Sequence, residues 1–189
     1  MNDYFDSENF KKVDFSKSTL KKGEYDNCVF TGCNFSNVHA STIQFIECTF
    51  IDCNFSNAIV KDTAFKEAHF ENCKMIGINF YEVDPFLLKM YFTKCQLSFS
   101  SFQEMKLKAT YFKNCTLEEV DFSGADLTSA IFDNSILNNT VFSQTNLEKV
   151  DFRTADHLRI NPEDNRLKGA KFSKENVVGL LEKYKIIIH

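Results

Sequence analysis

Histidine and cysteine are the residues of this sequence that could most readily bind a metal or act as nucleophiles. The histidines are scattered along the chain: His39, His69, His157 and His189. No HExxH, GxSxG or glycine-rich phosphate-binding motif accompanies them. We therefore expect no catalytic centre, no metal and no cofactor, and we interpret the protein as non-enzymatic.

The seven cysteines have a regular spacing that does not suit a zinc site. Cys28 and Cys33, like Cys48 and Cys53, are five residues apart, whereas zinc sites usually contain closer pairs with other ligands nearby. The odd number and a polar, acidic N-terminus without the pattern of a secretory signal favour free thiols in a reducing compartment. We expect the thiols to be small core residues rather than metal ligands.

Acidic side chains offer a second kind of chemistry, the recognition of a basic partner. Residues 118–133 contain five acids and no lysine or arginine: Glu118, Glu119, Asp121, Asp126 and Asp133. A second stretch, residues 23–60, contains Glu24, Asp26, Glu47 and Asp52 and likewise no lysine or arginine. Two interpretations stay open, an ordinary solvated exterior or an acidic binding surface. A lysine cluster near the N-terminus, which could also prevent edge-to-edge stacking, opposes a uniformly acidic surface: Lys11, Lys12, Lys17, Lys21 and Lys22.

A period of five residues identifies the elements that must position these side chains. Of 21 phenylalanines, 18 lie on one five-residue grid before residue 153, which slips by two residues after Phe80 and resumes at Leu87. Five residues advance an α-helix by about 140°, and successive fifth positions on a strand point to opposite faces, so neither element fits. The chain must turn at every repeat, which predicts a solenoid with very short sides.

The number of sides follows from residues that recur at twenty. Cysteines lie two residues before grid positions, and several pairs are 20 residues apart, including Cys33 and Cys53. Four sides of five residues would place such residues in one column. We predict one inner phenylalanine ladder through Phe92, Phe112, Phe132 and Phe152, an opposite ladder through Phe102, Phe122 and Phe142, and leucine ladders on the other two walls.

Units such as Ala125-Asp126-Leu127-Thr128-Ser129 and Cys53-Asn54-Phe55-Ser56-Asn57 resemble the A(D/N)LXX repeat of pentapeptide-repeat proteins. The resemblance implies an all-β fold, a right-handed quadrilateral β-helix, over residues 1–157. Residues 158–189 would form a C-terminal capping and dimerisation segment. This segment resembles that of the topoisomerase-protecting, quinolone-resistance (Qnr) members.

The C-terminal segment contains the pattern of a short helix followed by a strand. Ser173 can cap a helix whose first turn holds Glu175, and apolar residues then recur at helical spacing. An isoleucine run follows as a short strand. The segment could be an intrachain cap, and the resemblance implies a two-fold homodimer as well, with this predicted interface: Val177, Leu180, Leu181, Tyr184, Ile186 and Ile188.

The frame slip at residues 81–87 inserts two residues beside Pro85, which predicts a local break in strand pairing. It is either a bulge that keeps the coils in register or a small protrusion that contacts a partner. Long loops, which some Qnr-type proteins carry, are absent here. The predicted contact loop comprises Tyr81, Glu82, Asp84, Pro85 and Phe86.

These patterns lead to two main hypotheses and a third alternative. In the first, the five acids mimic DNA and bind a type II topoisomerase, either DNA gyrase or topoisomerase IV. In the second, the rod is a scaffold for another protein, and in the third the chain is an enzyme or metal carrier. A net charge of −4 argues against direct nucleic-acid or membrane binding. No apolar run approaches the roughly 18 residues of a membrane span, and we expect a cytoplasmic protein.

Overall fold

The computed structural model describes residues 3–187 as a parallel β-solenoid with four walls. Each pentapeptide forms one side of a coil, and the chain returns to the same wall after 20 residues. The strands are short: β1 (Asp3–Asp6), β2 (Asn9–Lys11), β3 (Gly23–Asp26), β4 (Val29–Thr31), β5 (Gln44–Ile46), β6 (Thr49–Ile51), β7 (Ala64–Lys66), β8 (Ala68–Glu71), β9 (Met90–Thr93), β10 (Tyr111–Lys113) and β11 (Ile131–Asp133).

The four walls differ in how continuous their strand pairing is. Wall 1 begins with the sheet β1-β3-β5-β7, and wall 2 is the seven-stranded sheet β2-β4-β6-β8-β9-β10-β11. Isolated parallel bridges form wall 3, as between Asn34 and Asn54, and wall 4, as between Ser101 and Asp121. Bridges also continue wall 1 beyond residue 106 and extend wall 2 to Lys171. The division into segments 1–157 and 158–189 stays a prediction.

The frame slip is a bulge in wall 1. Wall 2 pairs Phe50 with Phe70 across 20 residues and Phe70 with Phe92 across 22, so the two extra residues leave its register intact. Both ends of the bulge are held by the preceding coil. Asp84 N–H donates to the Thr63 carbonyl (3.0 Å), and Lys89 N–H donates to the Phe65 carbonyl (3.0 Å).

Stacked rings fill the core, as the grid predicted. On wall 2 an unbroken ladder of phenylalanines has ring centroids 4.7 to 5.7 Å apart: Phe10, Phe30, Phe50, Phe70, Phe92, Phe112, Phe132, Phe152 and Phe172. The opposite ladder on wall 4 contains Phe80, Phe102, Phe122 and Phe142. Rings of the two ladders meet edge to face, as Phe92 and Phe102 do, a favourable arrangement for aromatic quadrupoles.

The buried cysteines form a longer column than the sequence spacing indicated. Because the bulge restores the register, Cys95 and Cys115 continue the column that begins with Cys33. Each thiol in it donates to a phenylalanine carbonyl of wall 2, as Cys53 does to Phe30 (3.4 Å). The seven thiols are free and buried. They behave as small core residues that satisfy backbone acceptors.

The corners between walls require a left-handed backbone. Most corner residues have φ between about 49 and 69°, a region that asparagine, aspartate and glycine tolerate best. Asn57 and Gly77 occupy successive positions of one such corner. Long polar residues such as Glu47 and Lys94 also occur at such corners, whereas Phe99 (φ 62°), at the same corner as Gly77, and Leu87 (φ 56°), in the bulge, are large and apolar.

The predicted C-terminal α-helix is wrong, and the predicted strand is not formed over the two of its residues that the structure describes. The segment contains two short 3-10 helices, Val177–Leu180 and Glu182–Tyr184, and Ile186 and Ile187 have no regular structure. Ser173 does not cap a helix, although Asn176 N–H donates to its hydroxyl (3.1 Å) in the turn before the first 3-10 helix. Close docking on the last coil explains the tighter winding.

Two contacts hold this segment against the backbone of the preceding coil. The Asn176 amide donates to the carbonyls of Phe152 (2.5 Å) and Ala155 (3.2 Å). A Cβ at Gly179 would lie 1.8 Å from the Leu158 carbonyl oxygen, so only glycine allows this approach. None of the helices in residues 3–187 is both long enough and apolar enough to cross a bilayer.

Candidate protein-interaction surfaces

The five predicted acids form a ring around the rod rather than one patch. Glu118 lies on wall 3, Glu119 at the corner between walls 3 and 4, and Asp121 on wall 4. Asp126 lies on wall 1 and Asp133 on wall 2. Because the chain turns at each pentapeptide, neighbouring acids in sequence point in different directions. The structure brings the first three together and separates the other two.

Asp126 and Asp133 are engaged by neighbouring coils. Asp126 pairs with Lys108 (3.3 Å) and accepts a hydrogen bond from the backbone N–H of Thr128 (3.1 Å). Partial burial would raise the pKa of Asp126, but the hydrogen bonds from Thr128 and Lys108 outweigh it and hold this pKa below its usual value. Asp133 accepts the hydroxyl of Tyr111 (2.9 Å). These contacts give both carboxylates a structural role.

Glu118 and Asp121 are oriented by polar neighbours on the same two walls. The Asn138 amide donates to Glu118 (2.9 Å), and Ser123 N–H donates to Asp121 (2.8 Å). The Gln103 amide also donates to Asp121. Glu119 is exposed at its corner. This part of the rod therefore presents fixed negative charge to solvent.

The second acidic stretch and the lysine cluster lie toward the N-terminal end. Glu24 and Asp26 lie on wall 1, where Asp26 is paired in register with Asp6. The lysines surround the first coil, and two of them contact acids of that coil: Lys17 with Asp14 (3.3 Å) and Lys21 with Asp3 (4.0 Å). Positive and negative charge therefore alternate at this end, and the rod is not uniformly acidic.

The bulge in wall 1 protrudes with apolar side chains. Phe86 and Leu87 are each 66% exposed, and Tyr81 is 48% exposed. Asp84 accepts the N–H of Phe86 (2.9 Å) in a tight turn, and the Lys66 ammonium lies 5.8 Å from the Phe86 ring centroid. With residues 103–106 the bulge lines a groove of about 940 Å³. Partner contact by the predicted loop stays a prediction.

The C-terminal segment presents an apolar outer surface, although not quite the predicted one. Leu180 packs inward on the core, whereas four other predicted interface residues are exposed: Val177, Leu181, Tyr184 and Ile186. Ile188, the sixth, lies outside the described residues. Val178 (43% exposed) and Ile187 (83%) join this surface. Sequence reasoning missed Val178 because it assumed α-helical spacing, and Ile187 because it assumed a strand.

Ion pairs on its polar side fix this segment to the last coil. Arg159 pairs with Glu182 (2.8 Å), and Lys183 pairs with Glu163 (2.5 Å). The Tyr184 hydroxyl also donates to Glu163 (2.9 Å). The polar side is thus used within the chain, and the apolar side is left outward.

Phe99 is a surface aromatic that the sequence reasoning did not single out. It is 57% exposed at the corner between walls 3 and 4. The sequence did contain a signal, because Phe86 and Phe99 are the two phenylalanines before residue 153 that lie off the five-residue grid. These same two phenylalanines are the ones exposed in the structure. A phenylalanine outside the inward register has no place in the core.

No group of three or more metal-binding side chains converges among residues 3–187. His69 stacks on Tyr91 on the outside of wall 2 (4.3 Å), and His157 lies 3.6 Å from Asp156. The described surface is therefore best understood through its charged and apolar patches.

The comparisons with known proteins agree with this architecture. A family model described as a pentapeptide repeat region matches residues 23–102, 85–152 and 105–180. The chain is a pentapeptide-repeat protein. A search of curated protein sequences gives no significant match.

Solved structures with the same fold include a fluoroquinolone resistance protein. A trypsin-treated variant of QnrB1, a plasmid-mediated fluoroquinolone resistance protein, matches with a TM-score of 0.66 and 18% identity, covering 99% of this chain and 92% of that chain. A second trypsin-treated QnrB1 variant matches with a TM-score of 0.47 and 20% identity, covering 100% and 99%. HetL of Nostoc sp. strain PCC 7120, a pentapeptide-repeat protein involved in heterocyst differentiation regulation, matches with a TM-score of 0.35 and 14% identity, covering 89% and 84%. At 18% identity, the likeness to the first of these structures shows the fold alone.

Proposed function

We propose that this pentapeptide-repeat protein is a non-enzymatic interaction protein that binds the DNA-binding surface of a type II topoisomerase. By occupying or remodelling that surface in DNA gyrase or topoisomerase IV, it would limit cleavage complexes stabilised by quinolones or toxins. Glu118, Glu119 and Asp121, the three acids that the fold brings together, would replace DNA phosphates. The likeness to a fluoroquinolone resistance protein supports this choice of partner.

The observation that carries the proposal is the rod of stacked coils with carboxylates held on its outer walls. The ring ladder of wall 2 takes eight steps of 4.7 to 5.7 Å and so extends for roughly 40 Å, in keeping with strand spacing. Two rods end to end would span about 80 Å, comparable to somewhat more than 20 base pairs of DNA. A rigid object of this length and charge suits a DNA-binding groove.

The homodimer in this proposal uses the apolar outer surface of the C-terminal segment. Val178, Leu181 and Ile186 are exposed within a short C-terminal stretch of the chain. Association through that surface would remove their apolar area from water and place two rods end to end. The ion pairs of Arg159 and Lys183 keep the segment in position for this contact.

A gyrase supercoiling assay with ciprofloxacin tests the function directly. The protein is titrated from below to above the enzyme concentration, and we expect supercoiling to recover at low ratios. The triple charge reversal Glu118→Lys, Glu119→Lys and Asp121→Lys should abolish recovery while circular dichroism remains unchanged. Inhibition without recovery would mean competition with DNA but no protection, and absence of any effect on both topoisomerases would overturn the proposal.

A scaffold for another protein partner is the second candidate. The lysines around the first coil and the division of the acids among four walls favour it. A scaffold predicts that topoisomerase activity is unaffected at every protein ratio. The same titration therefore separates the two functions.

A further inference from the structure

Wall 4 exposes two aromatic side chains that the fold does not require. Tyr81 is 48% exposed and Phe99 is 57% exposed. In the coils that follow Tyr81, the same outward column of wall 4 contains Gln103, Ser123 and Ser143. Polar residues without an aromatic ring therefore fit that position of the fold as well as tyrosine does.

Phe99 occupies a corner that favours other residue types. Its backbone has φ 62°, a conformation that bulky residues rarely adopt. The same corner column contains Asn57, Gly77 and Asn139, which tolerate this conformation, and the long polar residue Glu119 (φ 52°) directly after Phe99. Folding gives no reason for an exposed phenylalanine here, whereas contact with a partner does.

Negative charge surrounds the two aromatic side chains. On wall 4 and its corners, between residues 57 and 124, five carboxylates accompany the single ammonium of Lys61: Asp62, Glu82, Glu104, Glu119 and Asp121. We define the wall-4 patch as Tyr81, Glu82, Phe99, Glu104, Glu119 and Asp121. Two exposed aromatic side chains on the same wall as these carboxylates complement a basic partner.

We infer that the wall-4 patch is the face that docks on a basic, arginine- and lysine-rich DNA-binding surface, an inference that rests on the proposed function. Any surface that binds the DNA backbone carries such cations. Guanidinium and ammonium groups pair with carboxylates and also lie favourably over aromatic faces. Tyr81 and Phe99 thus add contacts that DNA itself cannot make.

The other acidic walls are less suited to this role. On wall 1, Asp126 is paired with Lys108, and on wall 2, Asp133 is bonded to Tyr111. The aromatic side chains His69 and Tyr91 on wall 2 lie face to face (9° between planes). Their inner faces are covered by one another, so they offer less aromatic face to a cation.

Two double variants and a matched double control test whether the wall-4 patch binds the partner. Tyr81→Ser with Phe99→Asn replaces the aromatic side chains by residues found in the same columns, so the fold should be retained. Glu82→Gln with Glu104→Gln removes two charges from wall 4, and the control, Asp126→Asn with Asp133→Asn, removes the same charge from walls 1 and 2. Binding to DNA gyrase is measured by biolayer interferometry at several salt concentrations.

The three variants should differ in both affinity and salt dependence. Loss of the two aromatic anchors should weaken binding by about tenfold or more at every salt concentration, as expected for interface hot spots. Loss of Glu82 and Glu104 should flatten the salt dependence, because fewer ion contacts form. The control should change affinity by less than about threefold. An effect on folding alone would not lower the affinity in one variant while it flattens the salt dependence in the other.

The outcomes distinguish this inference from the proposed function. If the wild-type protein binds gyrase but the aromatic variant binds equally well, or the control loses as much as the wall-4 pairs, the face is wrong and the function stands. If the wild type binds neither gyrase nor topoisomerase IV, the proposed function fails. A fluorescent polyarginine peptide then serves as the basic probe, and equal binding by all variants would overturn the wall-4 patch, whereas selective loss in the aromatic variant would support it.

Discussion

The phenylalanine ladder leads to the prediction that removal of a phenylalanine side chain destabilises the fold strongly inside the rod and only slightly on its surface. Phe112 is fully buried and stacks between Phe92 (5.3 Å) and Phe132 (5.0 Å). Truncation of a buried phenylalanine to alanine costs about 3–5 kcal/mol in all, and the loss of two aromatic stacks, each worth about 0.5–1.5 kcal/mol, places Phe112 toward the upper end of that range. We expect Phe112→Ala to lower the free energy of unfolding by about 4–5 kcal/mol.

Phe99→Ala is the matched control, since the same atoms are removed from an exposed position. Phe99 is 57% exposed, and alanine keeps the same left-handed corner, so the free energy of unfolding should change by about 0.5 kcal/mol or less. Phe99→Asn should be neutral or stabilising, because asparagine tolerates this conformation better than phenylalanine does.

Urea unfolding followed by circular dichroism measures these differences. A domain with only about 5–15 kcal/mol of stability can unfold on losing so large a contribution. Phe112→Leu therefore serves as a milder variant, for which we expect about 1–3 kcal/mol from the loss of its two ring stacks. Equal destabilisation by Phe112→Ala and Phe99→Ala, or a cost below about 2 kcal/mol for Phe112→Ala, would refute the assignment of the ladder as the main source of stability.

Three further predictions concern the thiols, the chain end and the bulge. Burial raises the pKa of Cys48 to about 12, whereas an unfolded thiol titrates near 8.5. The unfolded state therefore loses the proton first, and the free energy of unfolding should fall as the pH rises from about 8.5 toward 12; a flat urea midpoint over that range would contradict this. Val178→Asp with Leu181→Asp should convert the proposed dimer to a monomer in light scattering with unchanged circular dichroism, and a persistent dimer would exclude this surface. Leu87→Gly should raise the thermal midpoint or leave it unchanged, because glycine relieves the left-handed backbone of the bulge (φ 56°), and a clear decrease would show that the exposed leucine side chain stabilises the fold.

The repeat made the fold predictable in some detail from sequence. Phe92 and Phe112 were assigned to one ladder and Phe102 to the opposite one because a four-sided coil repeats every 20 residues, and the structure has these ladders. The bulge was recognisable because the frame slips by two. The sequence spacing did not place Cys95 in the column of Cys73, because only the three-dimensional structure shows that the bulge restores the register of the column.

The C-terminal segment was harder to predict because its conformation depends on the surface beneath it. Val177, Leu180, Leu181 and Tyr184 have the spacing of an α-helical stripe, but local periodicity contains no information about Gly179 meeting the Leu158 carbonyl. Tertiary docking tightened the winding and moved the exposed positions. A local pattern of a few residues is a weak predictor of secondary structure where a neighbouring coil supplies the hydrogen bonds.

The candidate surface was the least predictable feature, for a reason built into the repeat. Each five-residue side requires one large and one small inward residue, and the remaining positions are constrained mainly at the corners. A cluster of acids that is continuous in sequence is therefore divided among walls, as Asp121 and Asp126 are. Residues that violate a structural preference are more informative than clusters. Phe99 is both off the inward grid and bulky at a left-handed corner, so a search of such solenoids for functional faces should begin with outward positions whose residue type the fold disfavours.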